Sequence, residues 1–99
     1  MGYKVILSPR AIQDLREIVR YIAFDNPPLA KKFGQMLIDK VRVLENFPEM
    51  GRAVPEFGDS KVRELVFRSY RIIYRVHADQ NAVEISRFWH GARGSPELI

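Results

Sequence analysis

The spacing of apolar residues changes near residue 60, and this change limits the fold more than any other feature of the sequence. Between residues 9 and 46, apolar side chains recur every three or four positions, the period of an amphipathic helix. From Val62 onward they tend to alternate with polar ones, the period of a strand. A chain of 99 residues can bury one modest core, so we expect a single domain over residues 1–99.

Two helices are predicted in the first half of the chain. Ser8 and Pro9 are typical of a helix start, because serine caps free N–H groups and proline suits the first turn. The first helix has an apolar stripe of Ile12, Leu15, Ile18, Val19 and Ile22 and a wetter side of Asp14, Arg16, Glu17 and Arg20. DNPP at 25–28 ends this helix, with Asn26 as the next cap, and a second stripe covers residues 28–46. The short connection predicts an antiparallel helical hairpin.

Strands are predicted on both sides of the hairpin. YKVILS at 3–8 is a short run rich in β-branched residues. Three adjacent antiparallel strands follow, with the sequences VRELVF, YRIIYRVH and AVEISRFW. The intervening segment NFPEMGRAVPEFGDS at 46–60 has two prolines, two glycines and no sustained period, so it is predicted to be a long loop. The result is an α+β chain of order β-α-α-β-β-β.

A turn at 78–81 predicts which strand residues share a face. The face toward the helices carries Tyr70, Ile72, Tyr74 and Val76, opposite Trp89, Arg87, Ile85 and Val83 respectively. The other face carries Arg71, Ile73, Arg75 and His77 opposite Phe88, Ser86, Glu84 and Ala82. We therefore expect an Arg75–Glu84 ion contact and an exposed basic surface. A slip of one residue would exchange the two faces.

Positive charge is concentrated in these strands. The chain has a net charge of +4, and residues 61–93 hold seven basic and three acidic side chains, which accounts for the surplus. Six of the seven basic residues are arginine, whose planar guanidinium pairs with carboxylates and phosphates. This bias favours an anionic partner, either nucleic acid or an acidic peptide. The alternative is an ordinary solvated strand face.

Few residues carry recognisable chemistry. The chain has no cysteine and only two histidines, His77 and His90, so neither a zinc site of ordinary composition nor a thiol nucleophile is expected. The glycines form no phosphate-binding loop, and we expect no cofactor. Glu64 and Glu84 are interpreted as partners of arginines. No apolar run spans a membrane and no signal peptide is evident, which predicts a cytoplasmic protein without membrane contact.

His90 and Trp89 each allow two interpretations. A histidine at a strand end can transfer a proton in RNA cleavage, with Arg71 and Arg93 stabilising the phosphorane charge. The interpretation we favour is a histidine that hydrogen-bonds the backbone of the following loop, because no second acid or base is evident. Trp89 could stack on a base, although a large aromatic residue at strand spacing is more often part of the core.

Several segments together resemble one superfamily. LSPRAIQDLREIVRYIAFDNP, GRAVPE, VRELVFRSYRIIYRV and ISRFWHGAR, in this order, are similar to ParE/RelE toxins of bacterial type II toxin–antitoxin systems, a group that includes plasmid stabilisation proteins. The resemblance covers residues 3–93. It implies two helices packed on a small antiparallel sheet that includes the first strand. It also implies an antitoxin partner whose C-terminal segment folds onto the toxin, in a hetero-oligomer.

Two activities occur in that superfamily, and the resemblance implies different sites for them. RelE-like members cut mRNA on the ribosome with basic sheet residues and, in many cases, a tyrosine near the C-terminus. Arg71 matches one such position and Arg93 lies near a second, so Arg71, His90 and Arg93 are the candidate catalytic residues of a nuclease. No tyrosine follows Tyr74.

ParE-like members poison DNA gyrase, and GRAVPE, RELV and HGAR look more like these. We therefore expect a gyrase inhibitor rather than an enzyme, with a ribosome-dependent endoribonuclease as the alternative. A third alternative is a non-toxic member that only binds a partner. The residues predicted to bind the partner or target are Arg63, Arg71, Arg75, Arg87, Trp89, His90 and Arg93.

Overall fold

The computed structural model describes residues 2–96 and places two helices on one face of a five-stranded mixed sheet. The elements are β1 (Lys4–Leu7), α1 (Pro9–Asp25), α2 (Pro27–Arg42), β2 (Arg52–Ala53), β3 (Val62–Phe67), β4 (Tyr70–His77) and β5 (Ala82–His90). The strand order is β1-β5-β4-β3-β2, with β1 parallel to β5 and the other neighbouring pairs antiparallel. The predicted fold class is confirmed. The two-residue strand β2 lies in the segment that was predicted to be all loop.

Both helices begin at the predicted caps. The Ser8 hydroxyl accepts a hydrogen bond from the Ala11 N–H at 3.0 Å, and the Asn26 side-chain oxygen accepts one from the Leu29 N–H at 3.2 Å. Each cap is followed by proline in the first turn. Ser8 also donates its hydroxyl proton to the Ser86 carbonyl at 3.1 Å, so the same residue joins α1 to β5.

Apolar side chains are buried on both faces of the sheet. The larger cluster lies between helices and sheet and contains Ala11, Ile18, Leu37, Val41, Leu44, Leu65, Ile72, Tyr74, Val83, Ile85 and Phe88. A smaller cluster of Val54, Val62, Ile73 and Trp89, with Phe57 packed against it, lies on the face away from the helices. Because neighbouring residues of a strand point to opposite faces, Ile72 and Ile73 belong to different clusters. We call the side of the smaller cluster the open face.

A β-bulge at Ser86 changes the predicted register of β4 and β5. Tyr74 pairs with Ile85 as predicted, but Ile73 pairs with Arg87, so Ser86 is an extra residue in β5. Beyond the bulge the predicted Ile72–Arg87 and Tyr70–Trp89 pairs are wrong; the observed partners are Ile72–Phe88, Arg71–Trp89 and Tyr70–His90. The bulge therefore moves Trp89 to the open face and Phe88 toward the helices. Two adjacent aromatic residues gave no alternation that could have revealed it.

Beyond Leu7, where β1 ends, the outer edge of β5 is hydrogen-bonded by the Asp14 side chain of α1 rather than by another strand. β1 ends at Leu7, opposite Ile85. The carboxylate of Asp14 accepts hydrogen bonds from the Phe88 N–H at 3.1 Å and from the Arg87 guanidinium at 2.7 and 3.1 Å. Asp14 is 5% exposed and Arg87 1%, so the pair is buried.

The prediction that Asp14 lies on the wet side of its helix is thus wrong. An apolar stripe cannot indicate a charged partner that lies 73 positions along the chain.

We expect Asp14→Ala to destabilise the fold by about 3 to 5 kcal/mol, because it removes one partner of a buried ion pair. The variant also removes the acceptor of the Phe88 N–H. Urea unfolding followed by circular dichroism measures the change. Glu17→Ala, which removes an exposed carboxylate about one turn further along the same helix, is the matched control and should cost less than about 0.5 kcal/mol. Equal losses for the two variants would contradict the role given to Asp14.

Candidate functional site

Arg71 on the open face is held by two carboxylates. Its Nε donates to Glu64 Oε1 at 2.6 Å, while Nη1 and Nη2 donate to the two oxygens of Glu56 at 2.9 and 2.8 Å. Glu64 is 1% exposed and also accepts a hydrogen bond from Arg52 Nε at 2.7 Å. The Arg71 side chain is only 16% exposed to solvent. Arg71 therefore lies in a charge network, and its guanidinium is bonded to two carboxylates rather than free for a ligand.

Arg75 has a loop partner as well. Its Cα lies opposite that of Glu84 as predicted, but its Nη1 donates to Asp59 Oδ2 at 2.9 Å. The Glu84 carboxylate instead lies 3.4 Å from His77 Nε2. The predicted Arg75–Glu84 ion contact is therefore wrong, because a loop carboxylate reaches the arginine from above the sheet.

These loop carboxylates belong to residues 55–60, which we call the acidic strap. The strap crosses the open face, where Phe57 packs against the cluster that contains Ile73 and Trp89. Its two acidic residues, Glu56 and Asp59, form ion pairs with Arg71 and Arg75 respectively. The prediction of an exposed basic surface is accordingly wrong for this part of the sheet. The strap has no periodic pattern, so the sequence did not indicate where it would lie.

Arg63 and Gly51 fix the chain where it enters the strap. Arg63 Nη1 donates to the Gly51 carbonyl at 2.9 Å, and the Gly51 N–H donates to the buried Tyr74 hydroxyl at 2.8 Å. A Cβ at position 51 would lie 2.5 Å from the Glu64 carbonyl oxygen and 2.6 Å from the Tyr74 hydroxyl, so only glycine fits. Burial raises the pKa of Tyr74 above its ordinary value. Arg63 thus fixes the backbone at Gly51, just before the segment of residues 55–60.

A second group of polar residues lines a cleft between α1 and the ends of β4 and β5. The cleft has a volume of about 360 Å³, and its polar side chains are Asp14, Glu17, Tyr21, Tyr70, His90 and Arg93. The His90 ring meets the Tyr70 ring edge-on at 5.0 Å, and its Nδ1 accepts a hydrogen bond from the Ala92 N–H at 3.1 Å. This bond is the one that the favoured interpretation of His90 predicted. Burial raises the pKa of Tyr70 above its ordinary value.

Trp89 lies on the other side of this strand end, between two arginines. Arg87 and Arg93 place their guanidinium carbons 4.9 and 4.5 Å from its ring centroid. Its indole N–H donates to the Gly94 carbonyl at 3.0 Å. The ring is 4% exposed, in agreement with the interpretation of Trp89 as a core residue.

The structure brings two of the three candidate nuclease residues, His90 and Arg93, into one cleft and separates them from Arg71. His90 is paired with Tyr70 and faces the helices, whereas Arg71 is paired with Trp89 and points to the open face. The neighbours of His90 are instead Tyr70, Tyr21, Glu17 and Arg93. Sequence reasoning missed the two tyrosines. The correct strand register would have found Tyr70. The position of Tyr21, three residues after Ile18 of the apolar stripe, was a second signal.

The part of the chain that the structure describes contains neither a metal-binding cluster nor a membrane-spanning helix. Residues 2–96 contain no group of three or more side chains of the metal-binding types that could hold a metal ion. The same residues contain no helix that is long and apolar enough to span a membrane.

A sequence model of the family described as ParE toxin of type II toxin-antitoxin system, parDE, matches residues 5–94. No curated protein matches the chain.

Solved structures of similar fold include proteins from three different bacteria. The chromosomal ParDE system of P. aeruginosa matches with a TM-score of 0.75 and 21% identity over 90% of this chain and 96% of that one. The RelBE2 toxin–antitoxin complex of Mycobacterium tuberculosis gives 0.68 and 19%, covering 91% of this chain and 99% of that one. A mutant of the E. coli toxin RelE in the free state gives 0.67 and 16%, covering 95% and 88%. At these identities the likeness shows the fold alone.

We expect the stabilising effect of Glu56 to disappear in acid. The Arg71 guanidinium lowers the pKa of Glu56 from 4.5 to about 2. A carboxyl group whose pKa is lower in the folded state contributes stability above its unfolded pKa and loses it as the pH falls through the folded value. The stability difference between the unaltered chain and Glu56→Gln should therefore be constant above about pH 5 and shrink steadily toward about pH 2.

Urea unfolding at a series of pH values measures this difference. Asp79→Asn, which changes an exposed carboxylate in the β4–β5 turn, is the control and should show a small difference at every pH. A Glu56→Gln difference that is unchanged at pH 2 would contradict the pairing with Arg71.

Proposed function

We propose that this chain, which belongs to the ParE toxin family of type II toxin–antitoxin systems, inhibits DNA gyrase. The family match over residues 5–94 and the fold of two helices on a mixed sheet confirm the resemblance drawn from the sequence. Solved relatives of this fold include both ParDE and RelBE systems, so the choice of target depends on the arrangement of this chain's own residues.

The observation that carries the proposal is the state of Arg71. A RelE-like nuclease would need this guanidinium for phosphate, yet three of its nitrogens already donate to Glu56 and Glu64. Its candidate partner in catalysis, His90, lies on the opposite face of the sheet. Phosphate binding at Arg71 would require Glu56 to leave, and Glu64 would remain beneath the guanidinium as a negative charge. This arrangement favours a protein inhibitor over an RNA-cleaving enzyme.

The surface left for a protein target lies on the helical side of the molecule. Tyr21 and Phe24 on α1 are 82% and 89% exposed, and aromatic residues with arginine are common anchors in protein interfaces. Arg93 and His90 line the cleft beside Tyr21. Of the seven residues predicted to bind a partner, we assign these two to the target. Arg63, Arg87 and Trp89 are assigned to contacts within the chain, and Arg71 and Arg75 are covered by the acidic strap.

An antitoxin is the other partner that we propose. Two of the similar structures are described as a ParDE system and as a RelBE2 toxin–antitoxin complex. Such an antitoxin would neutralise this chain by covering the exposed aromatic residues of α1. A protein that binds only an antitoxin and no longer acts on a target is the alternative that a growth assay decides.

We expect the purified chain to stop plasmid supercoiling by gyrase. Arg93→Ala should weaken this inhibition about tenfold, because interface arginines commonly contribute more than about 1 kcal/mol. Gel analysis of plasmid topology over a toxin titration measures the effect. Arg42→Ala, an exposed arginine at the end of α2, is the matched control and should inhibit like the unaltered chain.

Three results separate the alternatives. Unchanged supercoiling at high toxin excess would contradict the proposal. Cleaved message in a translation extract, abolished by Arg71→Ala, would establish the nuclease instead. Normal growth of cells that express the chain without its antitoxin would indicate a non-toxic binding protein.

A further inference from the structure

The acidic strap is attached to the sheet by side chains and not by backbone. The backbone hydrogen bonds of residues 55–60 run from Phe57 to Val54, from Asp59 to Phe57 and from Val62 to Asp59, so they close within the segment and its two ends. β2, just before the strap, is by contrast paired to β3 along its backbone. The strap can therefore leave the open face without breaking the ladder of the sheet, as expected of a locally unfolding segment.

Beneath the strap, Arg71 is oriented independently of Glu56. The buried carboxylate of Glu64 holds Arg71 Nε at 2.6 Å and is itself held by Arg52. With the strap lifted, Nη1 and Nη2 would still point outward as a fork that fits a carboxylate with two parallel bonds. Glu64 thus orients the Arg71 guanidinium, which is a preformed binding site for a carboxylate.

The strap fills three adjacent subsites on this face. Glu56 lies in the Arg71 fork, Phe57 packs on the apolar cluster, and Asp59 pairs with Arg75. The pattern is acid, aromatic, spacer, acid, presented on a short irregular segment. The Glu56 and Asp59 side chains are 29% and 45% exposed. Water can therefore reach both ion pairs, and each pair is weak enough to be replaced by another carboxylate.

We infer that the open face is a docking surface for an acidic peptide segment of a partner protein, and that the strap is its internal, displaceable occupant. The partner segment carries two carboxylates separated by an aromatic residue, because this is the chemistry that the three subsites accept in the structure. On binding, it replaces the strap at Arg71, at the apolar cluster and at Arg75. The inference does not depend on gyrase as the target, since the surface and its occupant lie on the face away from the helices.

A peptide fits this face better than a nucleic acid does. Glu64 lies against Arg71 and Arg52, so these two cations stay partly neutralised even when the strap is lifted. Nucleic-acid affinity depends on the number of phosphates that free cations neutralise. An apolar subsite between two carboxylate receptors instead matches an amphipathic peptide.

The experiment titrates a fluorescent peptide of residues 53–61, AVPEFGDSK, which contains the strap, against the full chain and the variant Glu56→Gln/Asp59→Asn. This variant weakens the internal occupant and leaves the receptors intact, so we expect peptide affinity about tenfold higher than for the unaltered chain. Adding Arg71→Ala to the variant should remove the gain. The control variant Asp39→Asn/Asp79→Asn changes the net charge equally at exposed sites and should bind like the unaltered chain. The peptide AVPQFGNSK, which lacks both side-chain carboxylates, should bind none of them.

A measurement on the unaltered chain covers the case in which the variant does not fold. Hydrogen exchange of the Phe57 and Asp59 amides should be much faster than that of the Ile72 and Ile73 amides in the sheet. Equal exchange rates in strap and sheet would overturn the inference, because the strap would then open only on global unfolding. Two binding results would also overturn it: no gain of peptide affinity in the variant, or tighter binding of a single-stranded oligonucleotide than of the peptide.

Discussion

The carboxylate of Asp14 occupies the place where a strand would otherwise continue along β5, and the arrangement of helices on the sheet depends on it. β1 pairs with β5 only as far as Leu7 and Ile85. Beyond that point the backbone N–H of Phe88 and the guanidinium of Arg87 are both bonded by Asp14. A helix side chain that satisfies a sheet edge fixes the position of α1 in a way that apolar contacts, which have no direction, cannot.

Buried charge organises the open face as well. Glu64 bridges Arg52 and Arg71, and these residues come from three strands that neighbour one another in the sheet. Four of the arginines that make the strand region basic are thus engaged inside the molecule: Arg63, Arg71, Arg75 and Arg87. An excess of arginine in a sequence therefore does not measure the cations available to a ligand, because carboxylates and carbonyl groups elsewhere in the chain decide that number.

Local patterns predicted the two helices and four of the five strands, and long-range partners decided the details that were missed. The caps at Ser8 and Asn26 and the turn at 78–81 follow from neighbouring residues, and all are observed. The bulge at Ser86 was not predictable, because Phe88 and Trp89 are both apolar and suit either face. The position of Asp14 and the path of the strap depend on partners many residues away, which spacing alone does not indicate. The candidate site changed most for this reason: one register shift separated His90 from Arg71.

The environment of Trp89 gives the molecule a native optical reporter. It is the only tryptophan in the chain, and it touches Arg87 and Arg93 as well as the cluster on which Phe57 of the strap packs. Its indole N–H is bonded to the Gly94 carbonyl, so the C-terminal turn meets the same ring. Ultraviolet emission from a single chromophore at this junction would shift in wavelength and intensity when water reaches the ring. Rearrangements of the open face can therefore be followed in real time without attaching a label.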